Sequence, residues 1–145
     1  MTGKLIGIAK AAELRSPLRE FESSSITVEA GIEGDARGRK LNRQVTVLFR
    51  ESWDAACRDL GVELPWTTRR ANLLVAGVDA PQSAGGKLRI GDVTLEIMQE
   101  TDPCMLMEQA HTGLKAALTP KWRGGVCCKV LSGGRIAVGD AVSIG

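Results

Sequence analysis

The segment 101–104, with the sequence Thr-Asp-Pro-Cys, carries the residue types best suited to chemistry in this 145-residue chain. It separates a strand-like run, Val93 to Ile97, from a helix-like run that begins at Met105. Proline disfavours helix in the residue before it and suits a first helical position, so Asp102 is expected to cap a helix and Cys104 to lie in its first turn. Unpaired backbone N–H groups at a helix start favour a thiolate. The pattern predicts a reactive Cys104, and the alternative is a buried, inert thiol.

The other cysteines give no sign of a metal site or of a disulfide framework. Cys57 falls on the apolar face of a predicted helix, 51–60, and is expected in the core. Cys127 and Cys128 are adjacent in a strand-like run, so their side chains point to opposite faces. The spacing of the four cysteines matches no zinc motif, which indicates free thiols of a reducing compartment. His111 is the only histidine, has no partner for a metal pair, and is expected to be structural or exposed.

Three short segments could bind an anion. The loop 31–38 holds three glycines whose backbone N–H groups could cradle one, two arginines stand next to an asparagine at a strand entrance, and another arginine precedes two glycines. Arginine binds phosphate and carboxylate bidentately. Each segment also has an ordinary interpretation, a plain glycine turn or a solvated strand edge. The residues concerned are Gly34, Asp35, Arg37, Arg69, Arg70, Asn72 and Arg123.

Hydrophobic residues make up 43% of the chain, and 17 glycines separate short apolar runs, a pattern typical of many short strands. Gly85 to Asp92 (GGKLRIGD) recurs as Gly133 to Asp140 (GGRIAVGD), and a further strand follows each copy. Two hairpins of one design predict related positions in a closed sheet. We therefore expect a mainly β protein, a closed or nearly closed antiparallel β-barrel with two or three short helices, in a single domain over residues 1–145.

Composition also disfavours some classes of partner. A net charge of +2 does not by itself indicate nucleic acid. The sequence lacks the charged segment followed by an apolar run that is typical of a signal peptide. No apolar run approaches the roughly 18 residues of a membrane span. We expect a cytoplasmic protein that binds neither nucleic acid nor membrane.

The order of several motifs resembles a known family. The motifs are Gly-x-Glu-Gly-Asp, Arg-x-Asn, Gly-x-Leu-x-Ile-Gly-Asp-Val, Pro-Cys, Gly-Val and Gly-Gly-x-Ile-x-Val-Gly-Asp, running from about Lys4 to Ser143. In this order the chain resembles the MOSC domain, named for the C-terminal domain of molybdenum-cofactor sulfurase, in a stand-alone form. Many members carry Arg-His after the Gly-Asp pair, where this chain has Ala36 and Arg37.

The resemblance implies a β-rich barrel and a functional cysteine at Cys104, which in cofactor-binding relatives is a molybdenum ligand. It implies that Asp102, Pro103, Arg70 and Asn72 help to hold molybdopterin. It implies no pyridoxal phosphate on this domain alone.

Three functions are compatible with these residues. The chain could bind molybdenum cofactor and reduce small N-hydroxylated compounds with the help of a redox partner. It could be a persulfide carrier that docks on a cysteine desulfurase and supplies metal–sulfur assembly, since a thiolate accepts sulfur. It could also be a β-barrel interaction module with an inert cysteine.

Overall fold

The computed structural model describes residues 2–39 and 42–145, which form eleven strands and three α-helices. The strands are β1 (Thr2–Lys10), β2 (Arg19–Glu20), β3 (Ser23–Thr27), β4 (Gly31–Ile32), β5 (Val45–Phe49), β6 (Leu73–Ala76), β7 (Lys87–Ile90), β8 (Val93–Glu100), β9 (Val126–Ser132), β10 (Gly134–Ala137) and β11 (Ala141–Ile144). The helices are α1 (Arg50–Leu60), α2 (Met105–Ala110) and α3 (Leu114–Leu118), with 3₁₀ turns at Trp66–Arg69 and Pro120–Trp122.

Seven strands close into a barrel in the order β1-β6-β5-β9-β8-β7-β11. Pairing of β11 with β1, with Thr2 opposite Ser143, completes the ring. The neighbours are antiparallel except β5 and β6, which are parallel because α1 crosses over between them, the connection that parallel strands require. The predicted closed, mainly β barrel with three short helices is confirmed, and this one pair departs from a purely antiparallel sheet.

Alternation along the strands divides the apolar residues into two cores. In β5, Val45, Val47 and Phe49 face the barrel interior, whereas Leu48 faces outward. Leu48 packs in a second buried cluster formed by the three helices against the outer wall, and Trp53 of α1 belongs to that cluster. Such two-sided burial explains why β5 has a nearly continuous apolar sequence. The helices are thereby fixed on one side of the barrel.

The two repeated Gly-Gly segments take different structures, contrary to the prediction. The first forms a hairpin in which β7 and β8 pair around Gly91 and Asp92. In the second, β10 pairs with β3 of a separate three-stranded sheet, while β11 pairs with β1 and β7. The turn between them is drawn to β1, since the N–H of Leu5 donates to the carbonyl of Asp140 at 2.9 Å and the N–H of Gly139 donates to the carbonyl of Leu5 at 2.8 Å.

Helix boundaries follow local sequence signals. α1 ends at Gly61, which adopts the left-handed conformation (φ 68°) expected of a C-terminal glycine. The predicted helix after Cys104 is divided into α2 and α3 at Gly113, which has φ 90°. Among residues 2–39 and 42–145, no helix has both the length and the apolar character needed to span a membrane.

Candidate functional site: a basic cleft around Cys104

The chain is extended where it leaves the barrel at the end of β8. Pairing with β9 ends at Glu100, opposite Val126, and the backbone at Cys104 is still extended (φ −122°, ψ −176°). The residues Gln99, Glu100, Thr101, Asp102 and Cys104 all line one cleft, although Thr101 is buried.

Cys104 is exposed and caps helix α2 instead of lying in its first turn. Its carbonyl accepts the first helical hydrogen bond, from the N–H of Met107 at 2.9 Å. Asp102 is therefore not the N-cap, and Pro103 precedes the helix instead of beginning it. The predicted helix start was wrong by two positions, but the thiol lies at the helix entrance.

Arg69 fixes this segment from behind. Its side chain is buried, with the residue only 7% exposed. Its Nε donates to the carbonyl of Gly124 at 3.0 Å, and its Nη2 donates to the carbonyls of Thr101 at 2.8 Å and Asp102 at 3.5 Å. Burial lowers the pKa of Arg69 from its ordinary value, and the negative charge of an ionised Cys104 acts in the opposite direction. Arg69 thus joins three loops beside the thiol.

The cleft has a volume of about 570 Å³ and strongly basic walls. Five arginines and two carboxylates line it together with Cys104. The arginines are Arg15, Arg37, Arg43, Arg69 and Arg70, and the carboxylates are Glu100 and Asp102. A cleft lined by charges of one dominant sign attracts ligands of the opposite sign, so this one favours an anion.

The part of the cleft wall formed by Arg37 and Arg70 is held by hydrogen bonds within the protein. Buried Asp35 accepts from the side chain of Arg37 at 3.0 Å and from the N–H of Ala11 at 2.9 Å. Arg37 Nη1 in turn donates to the carbonyl of Arg70 at 2.6 Å. Arg70 has a left-handed backbone (φ 64°), and its Nη2 donates to the carbonyl of Ser16 at 2.9 Å. These bonds fix both guanidinium groups before any ligand arrives.

Glu100 is the cleft carboxyl whose protonation the surroundings change. Burial raises the pKa of Glu100, and the neighbouring charge and side chain of Asp102 raise it further, whereas Arg69 lowers it. Paired carboxylates resist losing both protons at once. The Cys104 side of the cleft therefore contains a carboxyl group that retains a proton more readily than an isolated glutamate.

Comparison with known proteins shows the family to which this chain belongs. A family model described as the MOSC domain matches residues 33–143. The chain belongs to the MOSC domain family. No curated protein matches its sequence.

Solved structures share the fold of this MOSC domain. The YuaD protein from Bacillus subtilis is 19% identical with a TM-score of 0.84, and the match covers 99% of this chain and 96% of that one. YiiM from Escherichia coli is 16% identical with a TM-score of 0.74, covering 100% and 70%. YiiM from Geobacillus stearothermophilus is 16% identical with a TM-score of 0.67, covering 99% and 73%. At these identities the likeness concerns the fold.

Only some of the site residues predicted from the sequence lie together in the cleft. Cys104, Asp102, Arg70 and Arg37 line the cleft. Asp35 lies behind Arg37 and positions it. Pro103 is half-buried next to the thiol, and Gly34, with φ 87°, is exposed outside the lining.

Asn72 does not reach the cleft. It is 2% exposed, its Oδ1 accepts from the N–H of Thr46 at 3.1 Å, and its Nδ2 donates to the carbonyl of Ala9 at 3.2 Å. These bonds tie β5 and β1 together next to β6. The side chain acts as a structural bridge between strands.

Arg123 lies outside the cleft as well. Its Nη1 donates to the carboxylate of Asp59 in α1 at 2.6 Å and to the carbonyl of Ala117 in α3 at 3.0 Å. The position of this arginine next to two glycines suggested an anion contact, but the fold uses it to fasten helices to the barrel. His111 is half-buried at the end of α2, where its Nδ1 is 2.9 Å from the carbonyl of Thr112.

Three charged cleft residues were not among the predicted site residues: Arg15, Arg43 and Glu100. The sequence contained one signal for Glu100, its position at the end of β8 directly before the segment that carries Cys104. No local signal separates buried Arg69 from its neighbour Arg70. Among the described residues, no group of three or more His, Cys, Asp or Glu side chains could hold a metal ion.

Proposed function

We propose that this MOSC domain binds a molybdenum cofactor in the basic cleft, with the sulfur of Cys104 as the protein ligand of the metal. The observation that carries the proposal is the position of an exposed thiol in a cleft lined by five arginines. Soft thiolates suit molybdenum–sulfur chemistry, and a pterin cofactor brings other sulfur ligands of its own. One thiolate from the protein then suffices.

The arginines fit the phosphate of such a cofactor. A phosphate removed from water needs charged hydrogen-bond donors, and arginine supplies them in a planar fork. Arg37 and Arg70 are already fixed by Asp35 and by backbone carbonyls, so little side-chain ordering would be required on binding. We assign the phosphate to this wall and the metal to the Cys104 side.

An enzyme built on this site would reduce N-hydroxylated compounds, which is the activity that we favour. The bound group would supply the oxo or electron-transfer chemistry. The residues of the chain would orient it and hold a proton close to it. Glu100, whose pKa is raised by burial and by Asp102, is the cleft carboxyl best suited to retain that proton.

Metal and pterin analysis of the purified protein tests the proposal. Protein produced in a host with an intact cofactor pathway is expected to carry molybdenum and pterin at about one per chain, while Cys104→Ser loses the metal. Arg70→Gln should lower pterin content while leaving the Cys104 thiol reactive. Cys57→Ala serves as the control, because Cys57 lies in the helical core. Absence of both metal and pterin from the wild type would contradict the proposal.

A persulfide carrier is the second candidate, and a specific observation favours it. Met105 and Leu106, which follow the exposed thiol, are 57% and 51% exposed, and Leu14 on the cleft wall is 60% exposed. Apolar side chains gathered around a reactive group are typical of a docking surface for another protein, such as a desulfurase. Persulfide on Cys104 without metal would favour the carrier. Protein that carries neither a persulfide nor a metal would instead favour an interaction module with an inert cysteine.

A further inference from the structure

Arg69 differs from the other cleft arginines in how it is held. It is more than nine-tenths buried, and its Nε and Nη2 are used by the carbonyls of Gly124, Thr101 and Asp102. The buried guanidinium cannot swing away as a solvated side chain can. Its position relative to Cys104 is fixed, because two of those carbonyls belong to the segment that carries the thiol.

One nitrogen of this guanidinium remains for a ligand. Within residues 2–39 and 42–145, Nη1 of Arg69 has no hydrogen-bond partner, although Nε and Nη2 are both engaged. No buried side-chain nitrogen or oxygen of the described residues lacks a partner. Nη1 is therefore not fully buried, and the surface to which Arg69 contributes is the wall of the cleft that also includes Cys104.

We propose that Arg69 and Cys104 together form a subsite for an oxyanion. A negatively charged oxygen of the ligand accepts a hydrogen bond from Nη1 of Arg69. The ligand atom that bears this oxygen, or the atom next to it, then faces the sulfur of Cys104. The ligand class is a small anion with an oxygen next to an atom that a thiolate attacks or binds. The subsite belongs to the site of the proposed function, and the identity of its biological ligand rests on that proposed function. The subsite itself consists only of residues of this chain and requires no cofactor.

The surrounding charges agree with this assignment. Arg43 adds positive charge near Arg69, and Asp102 and Glu100 supply the opposing negative charge. Because Arg69 is desolvated, its charge is screened less than that of a surface arginine. A hydrogen bond from the charged Nη1 to an anionic oxygen is charge-assisted and therefore stronger than one between neutral groups, which makes the contact favourable.

The test compares two alkylating probes on cofactor-free protein. Iodoacetate is an anion and iodoacetamide is neutral, and with both the thiolate sulfur forms a bond to carbon while iodide leaves. The ratio of the two rate constants at Cys104, measured by mass spectrometry of its peptide, is independent of the fraction of thiolate. We expect this ratio to be at least about threefold higher in folded protein than in urea-unfolded protein at the same salt concentration. Equal ratios would overturn the proposal.

Variants then show whether Arg69 is responsible. Arg69→Gln should lower the ratio by about threefold or more, towards the unfolded value. Arg123→Gln is the matched control, since Arg123 pairs with Asp59 outside the cleft, and it should keep the wild-type ratio. An equal fall in Arg70→Gln and Arg69→Gln would mean a diffuse positive field and would overturn the assigned subsite. If Arg69→Gln does not fold, Arg70→Gln decides: a ratio that stays at the wild-type value supports the subsite, and a ratio that falls to the unfolded value overturns it.

The outcomes separate this inference from the proposed function. A raised ratio in protein that never binds molybdenum or pterin would support the oxyanion subsite and contradict the proposal of a bound cofactor. Full cofactor loading together with a ratio equal to that of the unfolded chain would contradict the oxyanion subsite and support the proposal of a bound cofactor.

Discussion

Cys104 and the pair Cys127–Cys128 lie close together but in opposite environments. Cys127 contacts Thr101, with 3.2 Å between Sγ and Oγ1, only three residues from Cys104. Cys127 and Cys128 are fully buried, and burial, reinforced by Cys127, raises the pKa of the Cys128 thiol. Cys104, in contrast, opens onto the cleft.

The difference arises from strand pairing. β9 is paired along both edges, with β5 and with β8. Cys128 faces the barrel core and Cys127 faces buried Thr101 on the other side of the sheet, so both thiols are covered. The segment 101–104 continues beyond the last β8–β9 pair, and no strand among residues 2–39 and 42–145 pairs with it. A cysteine is thus available for chemistry where the sheet ends and inert where the sheet is complete, although both positions have extended backbone.

The largest expected effect is on thiol reactivity. Cys104 should react with a neutral alkylating reagent at neutral pH at least about 100-fold faster than Cys128, since a buried thiol reacts only after local opening of the structure. Cys57, in the helical core, should also react more slowly than Cys104. Rates at each cysteine peptide, followed by mass spectrometry, measure this. In urea the differences should vanish, and a Cys57 rate equal to that of Cys104 in folded protein would show that the exposed thiol has no special role.

Replacement by serine extends the comparison to stability. Cys128→Ser should lower the free energy of unfolding by about 2 kcal/mol, because a hydroxyl enters the apolar barrel core. Cys104→Ser should change it by less than about 0.5 kcal/mol or raise it slightly, because serine is a favourable N-cap. Urea unfolding of the two variants provides the measurement. Equal losses would mean that the environments of the two thiols differ less than their burial indicates.

A smaller loss is expected where the Arg69 bridge passes Gly124. A Cβ at this position would lie 2.6 Å from the carbonyl oxygen of Thr101 and 3.1 Å from Arg69 Nη2. Gly124→Ala should therefore cost about 1–2 kcal/mol and alter the alkylation rate of Cys104 through the displaced segment. Gly86→Ala is the control, since its Cβ would meet only Ile97 Cδ1 at 3.4 Å. Unchanged stability and Cys104 reactivity in Gly124→Ala would contradict the bridge.

Much of the barrel could be predicted because its signals are local. Alternation and β-branched residues identified the main strands, and Gly61 identified the end of α1. The separation of the second Gly-Gly repeat could not be predicted, because it depends on hydrogen bonds between Asp140 and Leu5, which are distant in sequence.

The site was predictable in type but not in detail. Pro103 and Cys104 identified the reactive segment, whereas the roles of the arginines depend on partners far along the chain. Arg123 is paired with Asp59, 64 positions away, and Arg69 with Gly124, 55 positions away. Sequence proximity to glycines or to another arginine carries no information about such contacts.

The smallest expected effect concerns Glu100, the last β8 residue before the unpaired segment. The folded protein holds a proton on this carboxyl more tightly than the unfolded chain does, because burial and Asp102 raise the pKa of Glu100. Its contribution to stability is therefore complete below the ordinary glutamate pKa of 4.5 and declines as pH rises through the folded value. Glu100→Gln removes this loss.

The variant should thus be more stable than wild type at neutral pH, by less than about 0.5 kcal/mol because the side chain is largely solvated. The difference should shrink towards zero as pH falls below 4.5. Urea unfolding at several pH values measures it, with Glu96→Gln on the same strand as a control. A Glu100→Gln variant that is less stable than wild type at neutral pH would mean that attraction to Arg69 outweighs burial and Asp102, and that the Cys104 side of the cleft is more strongly basic than the carboxyl pair indicates.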